Sequence, residues 1–79
     1  MSVDVVMPKL GLTMEEGSVV RWLKNEGDRV EKGEVILVVE TEKVEYEVES
    51  PASGILKNIT GQAEQVYPVG EVLAVIEES

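Results

Sequence analysis

The chain has 79 residues, no Cys and no His, and a formal charge of −9 from 7 basic and 16 acidic side chains. That length allows one domain with one small core. The missing residue types exclude a disulfide framework, a thiol nucleophile, a zinc finger and a Ser-His-Asp triad, and the acidic balance argues against a nucleic-acid binder.

The longest strong apolar run, Val35 to Val39, is far short of the roughly 20 residues a membrane-spanning helix needs. Met1 to Asp4 lacks the basic and apolar stretches of a secretory signal, and the Arg- and Ser-rich composition of a transit peptide. A cytoplasmic chain is therefore expected. Fifteen Val, no Phe and evenly placed Gly predict strands and turns, and no 3.6-residue apolar period persists over three turns.

In chain order, the first strand is predicted over 3–7 and stops at Pro8, where a longer loop runs to Glu16. A second strand follows over 17–23, carrying the lone Trp22 as core or half-buried packing. Asn25 to Asp28 turns the chain into a short strand at 28–31, and Lys32-Gly33 turns it into 35–41. After a hairpin comes 44–49, bounded by Ser50 to Gly54, and then 54–59, ended by Gly61. Strands at 65–68 and 72–77, separated by Val69-Gly70, complete eight. Lys9 and Tyr67-Pro68 read as surface residues without an assigned role.

The chain also repeats itself. A shift of 37 residues lays Gly17 on Gly54, Gly33-Glu34-Val35 on Gly70-Glu71-Val72, Val38 on Val75 and Glu40 on Glu77. A shift of 41 lays Val3, Val5 and Met7 on Val44, Tyr46 and Val48. Glycines match where turns are needed and apolar residues match where a core is needed. Two similar four-stranded halves can bury their inner faces only against each other. The expected fold is therefore all-β: a flattened β-barrel, or sandwich, of two four-stranded antiparallel sheets with quasi-twofold symmetry. In it, the hairpin at 41–44 lies far from the chain ends.

That hairpin holds the most unusual residue. From Glu40 to Glu49 one Lys sits among five Glu, for a formal charge of −4. Val44, Tyr46 and Val48 alternate strictly with Glu45, Glu47 and Glu49, giving a half-buried strand with an acidic outer face. An exposed strand without a cleft makes a poor carboxylate pair for glycoside hydrolysis. No loop of calcium-binding spacing is present, so no metal site and no catalytic residue are assigned. Lys43 is either a solvated turn lysine relieving repulsion among its neighbours or a point of covalent attachment. A long flexible stem, an amine able to form an amide and a rigid two-stranded support suit the second role.

Five segments carry a resemblance. Met7-Pro8-Lys9-Leu10-Gly11-Leu12-Thr13-Met14-Glu15-Glu16-Gly17 comes first, then Asn25-Glu26-Gly27-Asp28-Arg29-Val30. Glu40-Thr41-Glu42-Lys43-Val44, Pro51-Ala52-Ser53-Gly54 and Val69-Gly70-Glu71-Val72-Leu73 follow. In this order and spacing the whole chain resembles the lipoyl domain of the dihydrolipoyl acyltransferase component of 2-oxo acid dehydrogenase complexes, a barrel-sandwich hybrid. One departure is Glu42, where the family usually has Asp.

The resemblance implies that Lys43 is joined to lipoic acid, in a turn flanked by Thr41, Glu42 and Val44. It implies a swinging-arm carrier that meets four partners. These are a thiamine-diphosphate-dependent 2-oxo acid decarboxylase, an acyltransferase catalytic domain using coenzyme A, dihydrolipoyl dehydrogenase and a lipoate-attaching enzyme. The candidate recognition residues are Glu40, Glu45 and Glu47 on the hairpin and Leu10, Gly11, Leu12 and Thr13 in the loop. Gly54 is expected to support the hairpin from behind. Residues 1–79 would form a single, monomeric carrier domain, the N-terminal part of a longer acyltransferase chain. The competing readings are a biotinyl carrier of a biotin-dependent carboxylase, whose lysine is usually flanked by Met, and an unmodified acidic interaction barrel.

Overall fold

The computed structural model describes residues 1–78, and in it all eight strands appear. They are β1 (Ser2–Val6), β2 (Glu16–Trp22), β3 (Arg29–Val30), β4 (Val35–Thr41), β5 (Val44–Glu49), β6 (Gly54–Lys57), β7 (Val66–Pro68) and β8 (Val72–Glu78). One sheet has the order β1-β8-β6-β3 and the other β5-β4-β2-β7, with every pairing antiparallel.

The sequence repeat is written into this order. Replacing β1–β4 by β5–β8 and the reverse turns each sheet order into the other. Each sheet therefore draws two strands from each half, so the halves interleave rather than forming one sheet apiece. The repeated glycines keep their backbone as well: Gly33 has φ +89° and Gly70 has φ +92°, a region that L side chains enter at a steric cost.

The core lies between the sheets. Met7, Val19, Val30, Ile36, Leu37, Val39, Leu56, Leu73 and Ile76 are fully buried in it. Strict alternation would place either Ile36 or Leu37 outside. A bulge in the β4–β5 register between Val35 and Leu37 allows both to be buried. Val38 points outward, yet is only 3% exposed. Its cross-strand neighbours are Arg21 and Glu47, long side chains whose stems can lie over apolar surface.

The strand predicted to reach residue 59 stops at Lys57, because Asn58 adopts φ +52°. The chain then crosses the end of the core under two side-chain staples. Trp22 Nε1 donates to the Gly61 carbonyl at 2.6 Å. The Tyr67 hydroxyl accepts from Gln62 N at 2.8 Å and donates to the Thr60 carbonyl at 3.3 Å. Tyr67, read from sequence as a surface residue without a role, is half-buried and packs against the core.

Gly54 also differs from expectation. It pairs with Val30 on one side and Glu78 on the other, and a Cβ there would overlap the Glu77 carbonyl. Its task is close approach of β6 to β8, at the end of the molecule where Glu78 N donates to the Met1 carbonyl at 2.9 Å. The hairpin sits at the opposite end. β4 begins beside Ser50, which bonds Glu34 at 2.7 Å, and runs its seven residues away from there, a span of about 23 Å at strand rise. The molecule measures 35 × 21 × 18 Å.

Gly54→Ala should therefore destabilise the domain by about 2 kcal/mol or more, since β8 must move off β6. Gly33→Ala, with open space around it, should cost about 1–2 kcal/mol through its backbone conformation alone. Urea denaturation of the two variants checks the order.

Three surface carboxylates are held below the usual glutamate range. Arg29 hydrogen-bonds Glu31, and the Glu31 N–H followed by Lys24 holds Glu34. Lys57 holds Glu77, 2.9 Å away. A lowered carboxylate pKa adds stability that is present above the ordinary range and disappears as pH falls through the lowered value. In a carboxyl-carbon NMR titration these three should protonate below the ordinary glutamate range, and Lys57→Met should raise Glu77 toward it.

Candidate functional site

The β4–β5 ladder runs without interruption from Leu37–Val48 to Thr41–Val44, leaving a two-residue connection. Right-handed strand twist favours a turn whose two central residues both have positive φ. Glu42 at +52° and Lys43 at +66° meet that demand. Sequences usually place Asn and Gly there; a longer side chain in this region costs roughly 1–2 kcal/mol per residue. The turn persists because the paired strands on both sides impose it.

Lys43 is exposed at the tip and, among the described residues, forms no ion pair. Glu42 beside it is exposed too, and Val44 is 48% exposed, one step beyond the end of the core. Further along β5, Tyr46 and Val48 pack against the core while Glu45, Glu47 and Glu49 face solvent. Glu40 and Glu45 stand directly opposite each other across the ladder, an arrangement that like charges disfavour. The lysine thus rises from a concentrated negative field.

The start of β2 flanks the turn. Thr41 Oγ1 donates to the Glu16 carbonyl at 3.4 Å, and Ser18 Oγ to the Glu40 carbonyl at 3.5 Å. Between these elements lies an open groove of about 280 Å³, with Glu16, Ser18 and Val66 on one side and Glu40, Thr41 and Lys43 on the other. Val66 is 57% exposed. Of the residues singled out from sequence, the structure gathers Glu40, Thr41, Glu42, Lys43, Val44 and Glu45 at one end. Leu10, Gly11, Leu12 and Thr13 are exposed in the preceding loop, with Leu12 at 95%. Among the described residues they make no hydrogen bond to the hairpin.

Sequence reasoning missed Ser18, Val66 and Gly17. Gly17, not Gly54, lies behind the hairpin: a Cβ there would stand 3.3 Å from the Glu40 carbonyl. The repeat pairs the two glycines and so could not tell which of them faces the lysine end.

Comparison with known proteins agrees with this geometry. The family model Biotin_lipoyl, described as "Biotin-requiring enzyme", matches residues 3–76. The chain is 49% identical over 79 residues to the dihydrolipoyllysine-residue acetyltransferase component of the pyruvate dehydrogenase complex of Rickettsia prowazekii, covering 99% of this chain and 19% of that protein. It is 47% identical over 74 residues to the corresponding component of the acetoin cleaving system of Pseudomonas putida, covering 94% of this chain and 20% of that protein. The chain thus spans about a fifth of these relatives. The solution structure of the lipoyl domain of the 2-oxoglutarate dehydrogenase complex of Azotobacter vinelandii superposes with a TM-score of 0.80 at 30% identity, covering 98% of both chains. The chain belongs to the biotin- and lipoyl-attachment family and is a lipoyl domain, similar over its length to a stretch of dihydrolipoyllysine-residue acetyltransferase components.

Proposed function

We propose that Lys43 is the residue to which lipoic acid is attached, and that the domain is the swinging-arm carrier of a dihydrolipoyl acyltransferase in a 2-oxo acid dehydrogenase complex. The observation that carries this reading is the position of Lys43: an exposed amine at the tip of a two-residue left-handed turn. The site fits such a group. No ion pair among the described residues competes for the amine, and the ladder fixes the base of its stem. Attachment joins Nζ to a carboxyl carbon as an amide, releases water and removes one positive charge. Residues 40–49 then pass from −4 to −5.

When bound, the lipoyl group supplies a dithiolane that opens on taking up an acyl group and closes again on oxidation. The chain's own residues supply place and field. The turn holds the base of the stem at the exposed tip of the hairpin, and tethering raises the effective concentration of the carried group at each partner. Glu40, Glu45 and Glu47 present a negative face to basic residues on a thiamine-diphosphate-dependent decarboxylase, an acyltransferase domain and dihydrolipoyl dehydrogenase. The names of the relatives support this assignment of the parent protein.

Incubation with a lipoate-attaching enzyme, ATP and lipoate should raise the intact mass by lipoic acid less one water, and Lys43→Ala should abolish the gain. A gain with biotin and a biotin-attaching enzyme instead would reassign the domain to a carboxylase. No gain with either would leave an acidic interaction barrel.

Steering by exposed charges fades with salt, over a Debye length of about 10 Å at 0.1 M. The kcat/KM for reductive acylation by the decarboxylase should therefore fall about tenfold from low to high ionic strength. The double variant Glu45→Gln/Glu47→Gln should flatten that dependence; a rate indifferent to salt in the unaltered domain would remove steering from the account.

A further inference from the structure

Nine residues, 7–15, connect β1 in one sheet to β2 in the other. This connection is fastened to the body at its two ends. Met7 N donates to the Glu71 carbonyl at 2.9 Å, the Met7 carbonyl accepts from Gly70 N at 2.9 Å, and the Glu15 carbonyl accepts from Val69 N at 3.0 Å. Between those ends, the hydrogen bonds among the described residues are internal to the loop. Met14 N donates to the Gly11 carbonyl at 3.2 Å, and Leu10 N donates to Met14 Sδ at 3.1 Å. From Lys9 to Glu15, Met14 alone is buried, at 8% exposure.

Met14 is thus joined both to the exposed arch and to the core. Its sulfur accepts the Leu10 N–H, a bond thioethers make only weakly. Its methyl carbon Cε lies 3.0 Å from the point a Cβ on Gly17 would occupy. Met7 Sδ is 3.1 Å and the Glu40 carbonyl 3.3 Å from that same point. The space left by the missing side chain of Gly17 is therefore bordered by the end of Met14, by Met7 and by the Glu40 carbonyl, which lies on the hairpin strand three residues before Lys43. An unbranched thioether suits an irregular gap of this kind.

We propose that Met14 is a positioning residue: it clamps the arch Lys9–Thr13 in a fixed place relative to the Lys43 turn, so that the decarboxylase meets loop and lysine as one surface. The proposal rests on the reading of Lys43 as the attachment residue. It separates two jobs within one loop. Leu10, Leu12 and Thr13 are available for contact, while Met14 decides where they are. Without the clamp only the ends of the arch are fixed, and each encounter must order the arch before docking.

The test uses the lipoylated domain with Met14→Ala, Met14→Leu and, as a control for general destabilisation, Val30→Ala at the opposite end of the molecule. Intact mass reports attachment, amide hydrogen exchange reports order in the loop, and steady-state reductive acylation separates KM from kcat. Met14→Ala should be lipoylated to completion. Its Leu10 and Met14 amides should exchange about tenfold faster, and its KM should rise several-fold with kcat unchanged. Met14→Leu should recover the KM while leaving the Leu10 amide unprotected, and Val30→Ala should alter neither.

A wild-type KM in Met14→Ala, or an equal rise in Val30→Ala, would overturn the proposal. Failure of the unaltered domain to take up lipoate would instead overturn the reading of Lys43, and loop exchange in the unmodified variants would still decide whether Met14 is a clamp.

Discussion

The inner faces of the two sheets have only each other for cover, and every strand of one half needs neighbours from the other half. Val19, Leu37 and Val39 come from the first half; Leu56, Leu73 and Ile76 come from the second; all are fully buried in one cluster. In the sheet β5-β4-β2-β7 both edge strands belong to the second half and both central strands to the first; in the other sheet the roles exchange. Neither half can close a core alone, so a domain this small stands or unfolds as a unit. That mutual dependence keeps the β4–β5 ladder straight up to its last pair.

The working end draws on this rigidity. Two left-handed residues that are not glycine occur together only where the surrounding pairing dictates the backbone. The charges add a second tension, since Glu40 faces Glu45 across the ladder near the single positive residue of the hairpin. A small local cost in backbone and electrostatics is offset by packing elsewhere, and in return the backbone of the lysine is held in one place.

Much of this could be read from the residues. Alternation from Val44 to Glu49 marks a half-buried strand, Gly33 and Gly70 mark equivalent turns, and the resemblance placed Lys43 in its turn. What escaped depends on pairings between distant segments. A repeat says that two halves are alike but not which strands lie side by side, so the interleaving was hidden, and with it the task of Gly54. Ile36 and Leu37 break the alternation through a bulge that no local pattern announces. Tyr67 and Met14 looked ordinary because their partners, Gln62 and Thr60 for one, Leu10 and the gap at Gly17 for the other, are set by tertiary placement. Asn58 ended a strand that its apolar neighbour Ile59 seemed to continue.

The exchange that carries one half onto the other also carries the β4–β5 connection onto the place where Met1 and Glu78 meet. The lysine turn and the meeting of β8 with the start of β1 are equivalent poles of one body. A chain joined at either terminus would leave from behind the lysine, with the long axis of the domain between them. In such a setting the domain acts as a stiff spacer. On the proposed attachment at Lys43, it would add its own length to the reach of the carried group and keep that group turned away from the join.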